Sequence, residues 1–309
     1  MAAGLFRLLD NMDTCSIVLC TFNRLEYLKQ ALASLLELDF PSYEIIIIND
    51  GSTDGTKNFL DAIKNDKIRV IHHERNQGLS ASRNTGIKHA RFEIIAFTDD
   101  DCRVDKNYLT SLLKGFTDEQ IGFVTGQTFY ISRDYKGYFP ERLVSNIDAR
   151  WPMGGNSAYR KKVFNTCGDF DNAFFKFNNE DTEMAIRAVS QGFAFNRAPE
   201  AITYHQAAKW TPQTLLKSAK NAAVWPALKK KYPRHFLYFH PAIKFGFIIN
   251  TEDYLYLLTA PVLIPLLLVR YLTHGKRNLK IFFTKWPVYF ILRRYYIYKE
   301  AAKNKVLMI

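Results

Sequence analysis

The chain has 309 residues, is 48% hydrophobic and 23% charged, and carries a formal net charge of +12. That balance excludes a disordered chain and predicts a sizeable core, enough for one large domain or two ordinary ones. Cys15, Cys20, Cys102 and Cys167 form no CxxC pair and no zinc-type spacing with histidine, which excludes a disulfide framework and points to a reducing compartment.

In chain order, "MAAGLFRLLDNMD" is too short in its apolar stretch, and too interrupted by Asp10 and Asp13, to be expected as a signal peptide. "CSIVLCTF" (15–22) predicts a buried strand, and "RLEYLKQALASLLEL" places apolar residues at helical spacing. "YEIIIIND" (43–50) suits a strand covered on both faces; the helical "GTKNFLDAIKN" leads to a third strand, "IRVIHH" (68–73). After "GLSASRNTGIKHA" comes a fourth, "EIIAFTDDD" (93–101). Four strands alternating with three helices predict a doubly wound α/β fold with a mostly parallel sheet. Ligands of such sheets bind beyond the carboxyl ends of the strands, where "TFNR", "NDGSTD", "ERNQG" and "DDD" stand.

Residues 110–205 read as a mixture: a helix near "YLTSLLKGF", a strand "IGFVTGQTFYI", a turn-rich "WPMGGNSAYRKKVF", a helix "NEDTEMAIRAVSQG" and a strand "AITYH". From 209 onward the chain is basic, holding 18 of the 42 Lys and Arg but 3 of the 30 Asp and Glu, with 19 of the 45 aromatic residues. Cationic and aromatic residues interleaved in this way fit an anionic membrane surface better than a nucleic-acid duplex. "YLYLLTAPVLIPLLLV" (254–269) is short of the roughly 20 apolar residues a span needs and contains Pro261 and Pro265, so an interfacial or re-entrant element is expected. An apolar layer packed on the rest of the chain, or a homo-oligomer contact through 209–309, is the competing expectation.

Three carboxylates at the end of an apolar run admit two readings, a solvated strand end or a cation site. Alternation along a strand puts Asp99 and Asp101 on one side, and two like charges that close favour a hard divalent ion such as Mg²⁺ or Mn²⁺. "NDGSTDGT", with Asp50 and Asp54, is by itself a turn. Arg83 and Asn84 stand just inside a helix start, where an anion is favoured, although a lone arginine is more often a surface cation.

"SIVLCTFNR", "IIIINDGSTDGT", "RNQGLSASRNTGI", "FTDDDC", "GGNSAYRKKVF" with "GDFD", and "NEDTEMAIR" resemble, in order and spacing, family 2 glycosyltransferases of the GT-A fold, over roughly residues 14–207. The resemblance implies transfer of a sugar, with inversion, from a nucleoside-diphosphate sugar to an acceptor hydroxyl. It implies that Thr21, Asn23 and Arg24 line the nucleotide pocket, that Asp50 meets the base, and that Asn76, Gly78 and Arg83 lie along base, ribose and phosphates. Asp99 and Asp101 match the DxD motif, the first near the ribose and the last on the metal, with Asp100, counted with the nucleotide pocket, pointing away from the ion. Asp181 is implied as general base with Glu180 orienting it or the acceptor. Gly154, Gly155 and Asn156 form the loop under donor sugar and acceptor, and His205 corresponds to a histidine that reaches metal or diphosphate in some relatives. Arg187 could face the diphosphate or pair within its helix.

The expected organisation is therefore a catalytic domain over 1–208, with a nucleotide-sugar half about 14–102 and an acceptor half about 103–208, followed by a helical membrane-associating region over 209–309. The expected enzyme uses Mn²⁺ or Mg²⁺, a UDP-sugar as default donor, and a lipid-linked saccharide or polysaccharide acceptor in cell-envelope glycan synthesis, at the cytoplasmic face of a membrane as a peripheral or monotopic protein. A sugar nucleotidyltransferase and a non-catalytic membrane-associated nucleotide-binding protein are the rival readings, and no nucleic-acid partner is expected.

Overall fold

The computed structural model describes residues 13–131, 154–175, 179–206, 212–235 and 279–307, with 243–244, 247–248, 265 and 269. The chain divides into two compact units, one of 1–129, 144–175 and 180–206, the other of 130–143, 176–179 and 207–309.

In the first unit the four apolar runs form β1 (Thr14–Thr21), β2 (Ser42–Asn49), β3 (Ile68–His72) and β4 (Ile94–Asp99). They pair in parallel in the order β3-β2-β1-β4. Helices α1 (Leu25–Leu36), α2 (Thr56–Asp61) and α3 (Leu79–His89) make the crossovers. β2 reads as an unbroken apolar run because both its faces are covered: Ile45, Ile46, Ile47 and Ile48 are fully buried. The one charge in it, buried Glu44, is neutralised and hydrogen-bonded by Ser16, the Arg91 amide and the Arg91 guanidinium.

Beyond β4 the sheet becomes mixed. β5 (Cys102–Val104), β6 (Ile121–Ile131), β7 (Asn156–Arg160) and β8 (Ala194–Gln206) complete the eight-stranded order β3-β2-β1-β4-β7-β6-β8-β5. β7 runs antiparallel to β4 and β6, and β5 antiparallel to β8. The remaining helices are α4 (Tyr108–Leu113), α5 (Lys161–Cys167), α6 (Asn172–Phe175) and α7 (Glu180–Ser190).

Two sequence expectations change here. "NSAYRKKVF" was expected to be turn-rich but holds β7 and α5; all five β7 residues are buried, polar ones included, so no alternation marks the strand. The fourth strand was expected to run to residue 101. β4 instead stops at Asp99, and a turn at Asp100 and Asp101 leads directly into β5.

In the second unit, α8 (Pro212–Asn221) and α9 (Val224–Lys231) both pack on α10 (Leu279–Asn304), burying Ala219, Val224, Leu228, Ile297 and Ala301. A two-residue ladder joins β9 (Ile243–Lys244) to β10 (Phe247–Ile248). No described helix is long and apolar enough to cross a membrane. The run 254–269 lies outside the described residues apart from Pro265 and Val269.

Candidate active site

The site is built at the carboxyl end of β4. In the turn between β4 and β5 the three acids part company. Asp99 and Asp101 converge with Cys102 and His205, whose potential ligand atoms all lie within 4.8 Å of one another. Asp100 turns the other way and is buried, accepting a hydrogen bond from Thr21 Oγ1 at 2.8 Å and from Arg24 Nη1 at 3.1 Å. The separation of Asp99 and Asp101 from Asp100 thus arises from a tight turn, not from strand alternation. His205 arrives from residues far along the chain because β5 and β8 pair with Cys102 opposite His205. Its Nε2 lies 3.4 Å from Asp101 Oδ1, and its Nδ1 is 2.7 Å from the Gln206 carbonyl.

Arg24, at the start of α1, reaches over the turn. Its Nη1 also donates to Asp101 Oδ2 at 2.7 Å, and half of its side chain remains exposed. The preceding Asn23 has a left-handed backbone, φ +53°, uncommon for a residue with a side chain. The cost is met by bonds to the β2–α2 loop: Asn23 N to Ser52 Oγ, Thr53 N to Asn23 Oδ1 and Leu25 N to Asp54 Oδ2. Asp50 does not present an open carboxylate. Its Oδ1 accepts the Gln77 amide and faces His73 Nδ1 at 2.7 Å, and its Oδ2 accepts the Gly78 amide at 2.8 Å. It therefore ties β2 to the start of α3, while Asn76 stays exposed on the same loop.

Arg83, from α3, links the two halves of the site. It is buried and donates through Nη2 to Asp99 Oδ1 at 3.1 Å and through Nη1 to Glu180 Oε1 at 2.6 Å. The Phe170 ring lies 5.6 Å from its guanidinium carbon. Gly154 and Gly155 allow this packing. A Cβ at Gly154 would stand 2.5 Å from the Arg83 guanidinium, and one at Gly155 would collide with the Asp99 carboxylate. Asn156 anchors the loop by donating to the Gln127 and Ala201 carbonyls. The Gly154 amide donates to Asp181 Oδ2 at 2.8 Å, and the Thr182 amide to Asp181 Oδ1 at 2.7 Å.

The electrostatics are unbalanced. Five carboxylates, Asp99, Asp100, Asp101, Glu180 and Asp181, gather around two arginines and one histidine. Burial pushes Glu180 up to about 7, against the pull of Arg83 and with the help of Asp181. Burial also raises Asp181, opposed by Arg83 and by the Gly154 and Thr182 amides. Asp100 rises to about 6 through burial, opposed by Arg24, and Asp101 is raised by burial, opposed by His205. Burying so much like charge is costly, and a divalent cation beside Asp99 and Asp101 would offset it. The donor set fits a hard ion. Two carboxylates and an imidazole are on offer, whereas burial holds the Cys102 thiol well above its ordinary pKa and so protonated.

The sequence model of glycosyl transferase family 2 matches residues 16–183, more than half of the chain. The chain belongs to glycosyltransferase family 2. Among its relatives, glycosyltransferase GlyA of Streptococcus pneumoniae serotype 4 is 25% identical over 163 residues, 52% of this chain and 22% of the relative. The poly-beta-1,6-N-acetyl-D-glucosamine synthase of Staphylococcus epidermidis is 35% identical over 119 residues, 38% of this chain and 29% of the relative. The match spans about a fifth to a third of the length of these two relatives. Among solved structures, the mannosyltransferase PcManGT of Pyrobaculum calidifontis, in complex with GDP-Man and Mn²⁺, aligns with a TM-score of 0.61 at 17% identity over 94% of this chain and 86% of that one. S. aureus TarS 1–349, in complex with UDP-GlcNAc, aligns at 0.52 with 19% identity over 74% of this chain and 72% of that one. The fold is accordingly the GT-A fold of the family, a mixed sheet with flanking helices.

Within this family member the residues expected at the site fall into three groups. Asp99, Asp101 and His205 meet at one point; Arg83, Glu180, Asp181, Gly154 and Gly155 adjoin it through Asp99; Thr21 and Arg24 approach through Asp100 and Asp101, while Asn23 bonds to Ser52 and Thr53 of the β2–α2 loop. Asp50 and Gly78 belong to the β2–α3 connection described above. Arg187 does not face the site: its guanidinium donates to the Cys167 and Asp169 carbonyls and to Glu183, so the helix-pairing alternative holds. Sequence reasoning overlooked His73 and Cys102. The second histidine of "IRVIHH", just beyond the strand and facing the NDG aspartate, was the only available signal for His73.

Proposed function

We propose that the chain is an inverting, metal-dependent glycosyltransferase. One observation carries the reading: Arg83 joins a carboxylate pair suited to a cation, Asp99 and Asp101, to a second pair, Glu180 and Asp181, suited to proton transfer. The acceptor hydroxyl attacks the anomeric carbon, the bond from that carbon to the diphosphate oxygen breaks, and the hydroxyl proton passes to Asp181. A carboxylate whose affinity for protons is raised by burial is a better base for this step. Glu180 orients Asp181 or the acceptor, and the Gly154–Asn156 loop bounds the space for the sugar. Asp99, Asp101 and His205 would hold Mn²⁺ or Mg²⁺, which supplies charge neutralisation for the departing nucleoside diphosphate. Thr21, Asn23, Arg24, Asn76, Gly78 and Asp100 shape the nucleotide side.

UDP- and GDP-linked sugars are the donors to test first, in keeping with the donors named for the two structural relatives. The polysaccharide synthase among the relatives favours a glycan acceptor, including a lipid-linked one. Donor-dependent release of nucleoside diphosphate with Mn²⁺, lost with EDTA and in Asp101→Ala, is expected. Release of pyrophosphate would instead favour a nucleotidyltransferase, and no nucleotide-sugar binding would favour a non-catalytic protein.

For attachment to a membrane, α10 offers Val288, Ile291, Tyr295 and Tyr298, each more than two fifths exposed and spaced as one helical stripe, in a basic region. Co-sedimentation with anionic vesicles, weakened by Ile291→Glu, is the expected result. Dimerisation through this stripe would give unchanged sedimentation and a halved mass in the same variant.

A further inference from the structure

The two carboxylates proposed to hold a cation are each already neutralised by an arginine, and the two arginines differ in how firmly they are held. Arg83, on Asp99, has a side chain only 4% exposed and is wedged between Glu180, Phe170 and the Gly154 backbone. Arg24, on Asp101, has a side chain 49% exposed. Its other contact, at 3.1 Å, is Asp100, which Thr21 fixes from the opposite side. Asp101 is fully engaged as it stands: Arg24 Nη1 lies 2.7 Å from Oδ2, and His205 Nε2 lies 3.4 Å from Oδ1. A divalent ion at Asp101 must therefore compete with a resident guanidinium, and its own charge repels that guanidinium.

Arg24 is delivered to this position by design of the loop. The left-handed backbone at Asn23, stitched to Ser52, Thr53 and Asp54, sets the residue that follows it over the acidic turn. The exposed guanidinium can also accept a new partner. A diphosphate brings negative charge and planar oxygen pairs that suit an arginine fork.

We propose that Arg24 is a placeholder cation: it occupies Asp101 until a nucleoside diphosphate draws it away, so that metal and nucleotide bind interdependently. This rests on the reading of Asp99, Asp101 and His205 as the cation site. Arg24 meets Asp100 and Asp101 through the same Nη1, so the exchange needs a movement of this one side chain and not a rearrangement of the turn. Such coupling is reciprocal: whatever factor the nucleotide adds to metal affinity, the metal adds to nucleotide affinity.

Binding of Mn²⁺ alone, followed by electron paramagnetic resonance of the free ion, tests the proposal in the full chain with and without UDP or GDP. Without nucleotide, Arg24→Gln is expected to bind Mn²⁺ about fivefold more tightly than the native protein, the scale of a half-exposed ion pair. Arg24→Lys, which keeps the charge, should stay near the native value. Adding nucleotide should tighten Mn²⁺ binding in the native protein by a larger factor than in Arg24→Gln. Equal or weaker Mn²⁺ binding by Arg24→Gln without nucleotide would overturn the placeholder role. So would native Mn²⁺ affinity that ignores nucleotide, a measurement that needs no variant. In both cases Mn²⁺ still binds, and the cation-site reading survives. Absence of Mn²⁺ binding to the native protein even with nucleotide would instead remove that reading and the proposal with it.

Discussion

At the β4–β5 turn, carboxylates are held by side chains: Arg24 and Thr21 on Asp100, Arg24 and His205 on Asp101, Arg83 on Asp99. At the start of α7, Asp181 is held by main-chain amides, those of Gly154 and Thr182. Side chains exchange partners by rotamer changes, whereas main-chain amides, here one in the turn before β7 and one in the first turn of α7, do not. The first cluster is thus suited to taking up and releasing ligands, and the second to keeping one acceptor oxygen at a fixed place while a proton arrives. Arg83 is the cation common to both, bonded to Asp99 on one side and Glu180 on the other.

The contrast is tested most severely at Asp181. Asp181→Asn keeps an oxygen for one amide but cannot take up the acceptor proton. Sugar transfer is expected to fall by about 10² to 10⁴, the usual worth of a general base, with nucleotide binding retained. Unchanged turnover, measured with the same donor, would mean that the fixed carboxylate is structural.

A smaller effect separates the clusters by their protons. Glu180 has its pKa raised from 4.5 to about 7, so the folded chain binds a proton at this carboxyl that the unfolded chain releases between those values. Its contribution to stability is therefore present at acid pH and is lost as pH rises from about 4.5 through about 7. Urea unfolding at pH 5 and pH 7.5 reads the difference, and Glu180→Gln should flatten it. An equal pH slope in that variant would assign the proton to Asp181 or the turn acids, which burial also raises.

Much of this architecture was legible in the chain. β1, β2, β3 and β4 appear within two residues of their expected bounds; β1, β2 and β4 read as apolar runs because they are buried inside the sheet, while β3, the edge strand, is half-buried throughout. β7 was not legible, since its polar Asn156, Ser157 and Arg160 are buried by antiparallel neighbours, Asn156 and Arg160 being bonded to carbonyls of β6. The acids at strand ends could be picked out by type and place. Their partners could not: Arg24 lies 76 and 77 residues from the acids it meets, and Arg83 lies 97 from Glu180. Such pairings follow from strand order, which local pattern does not encode. Asp50 illustrates the same limit, because only the fold shows both its oxygens taken up by Gln77, Gly78 and His73.

β5 is three residues long and lies at the sheet's edge, yet its pairing with β8 selects the imidazole that faces Asp101. Because side chains alternate along β8, displacing the ladder by one position would present Tyr204 in place of His205. The identity of the side chain facing Asp101 is thus specified by alignment between two strands as much as by the residue itself. A single-residue insertion or deletion in β8 would replace the proposed third ligand without altering any side chain of the acidic turn.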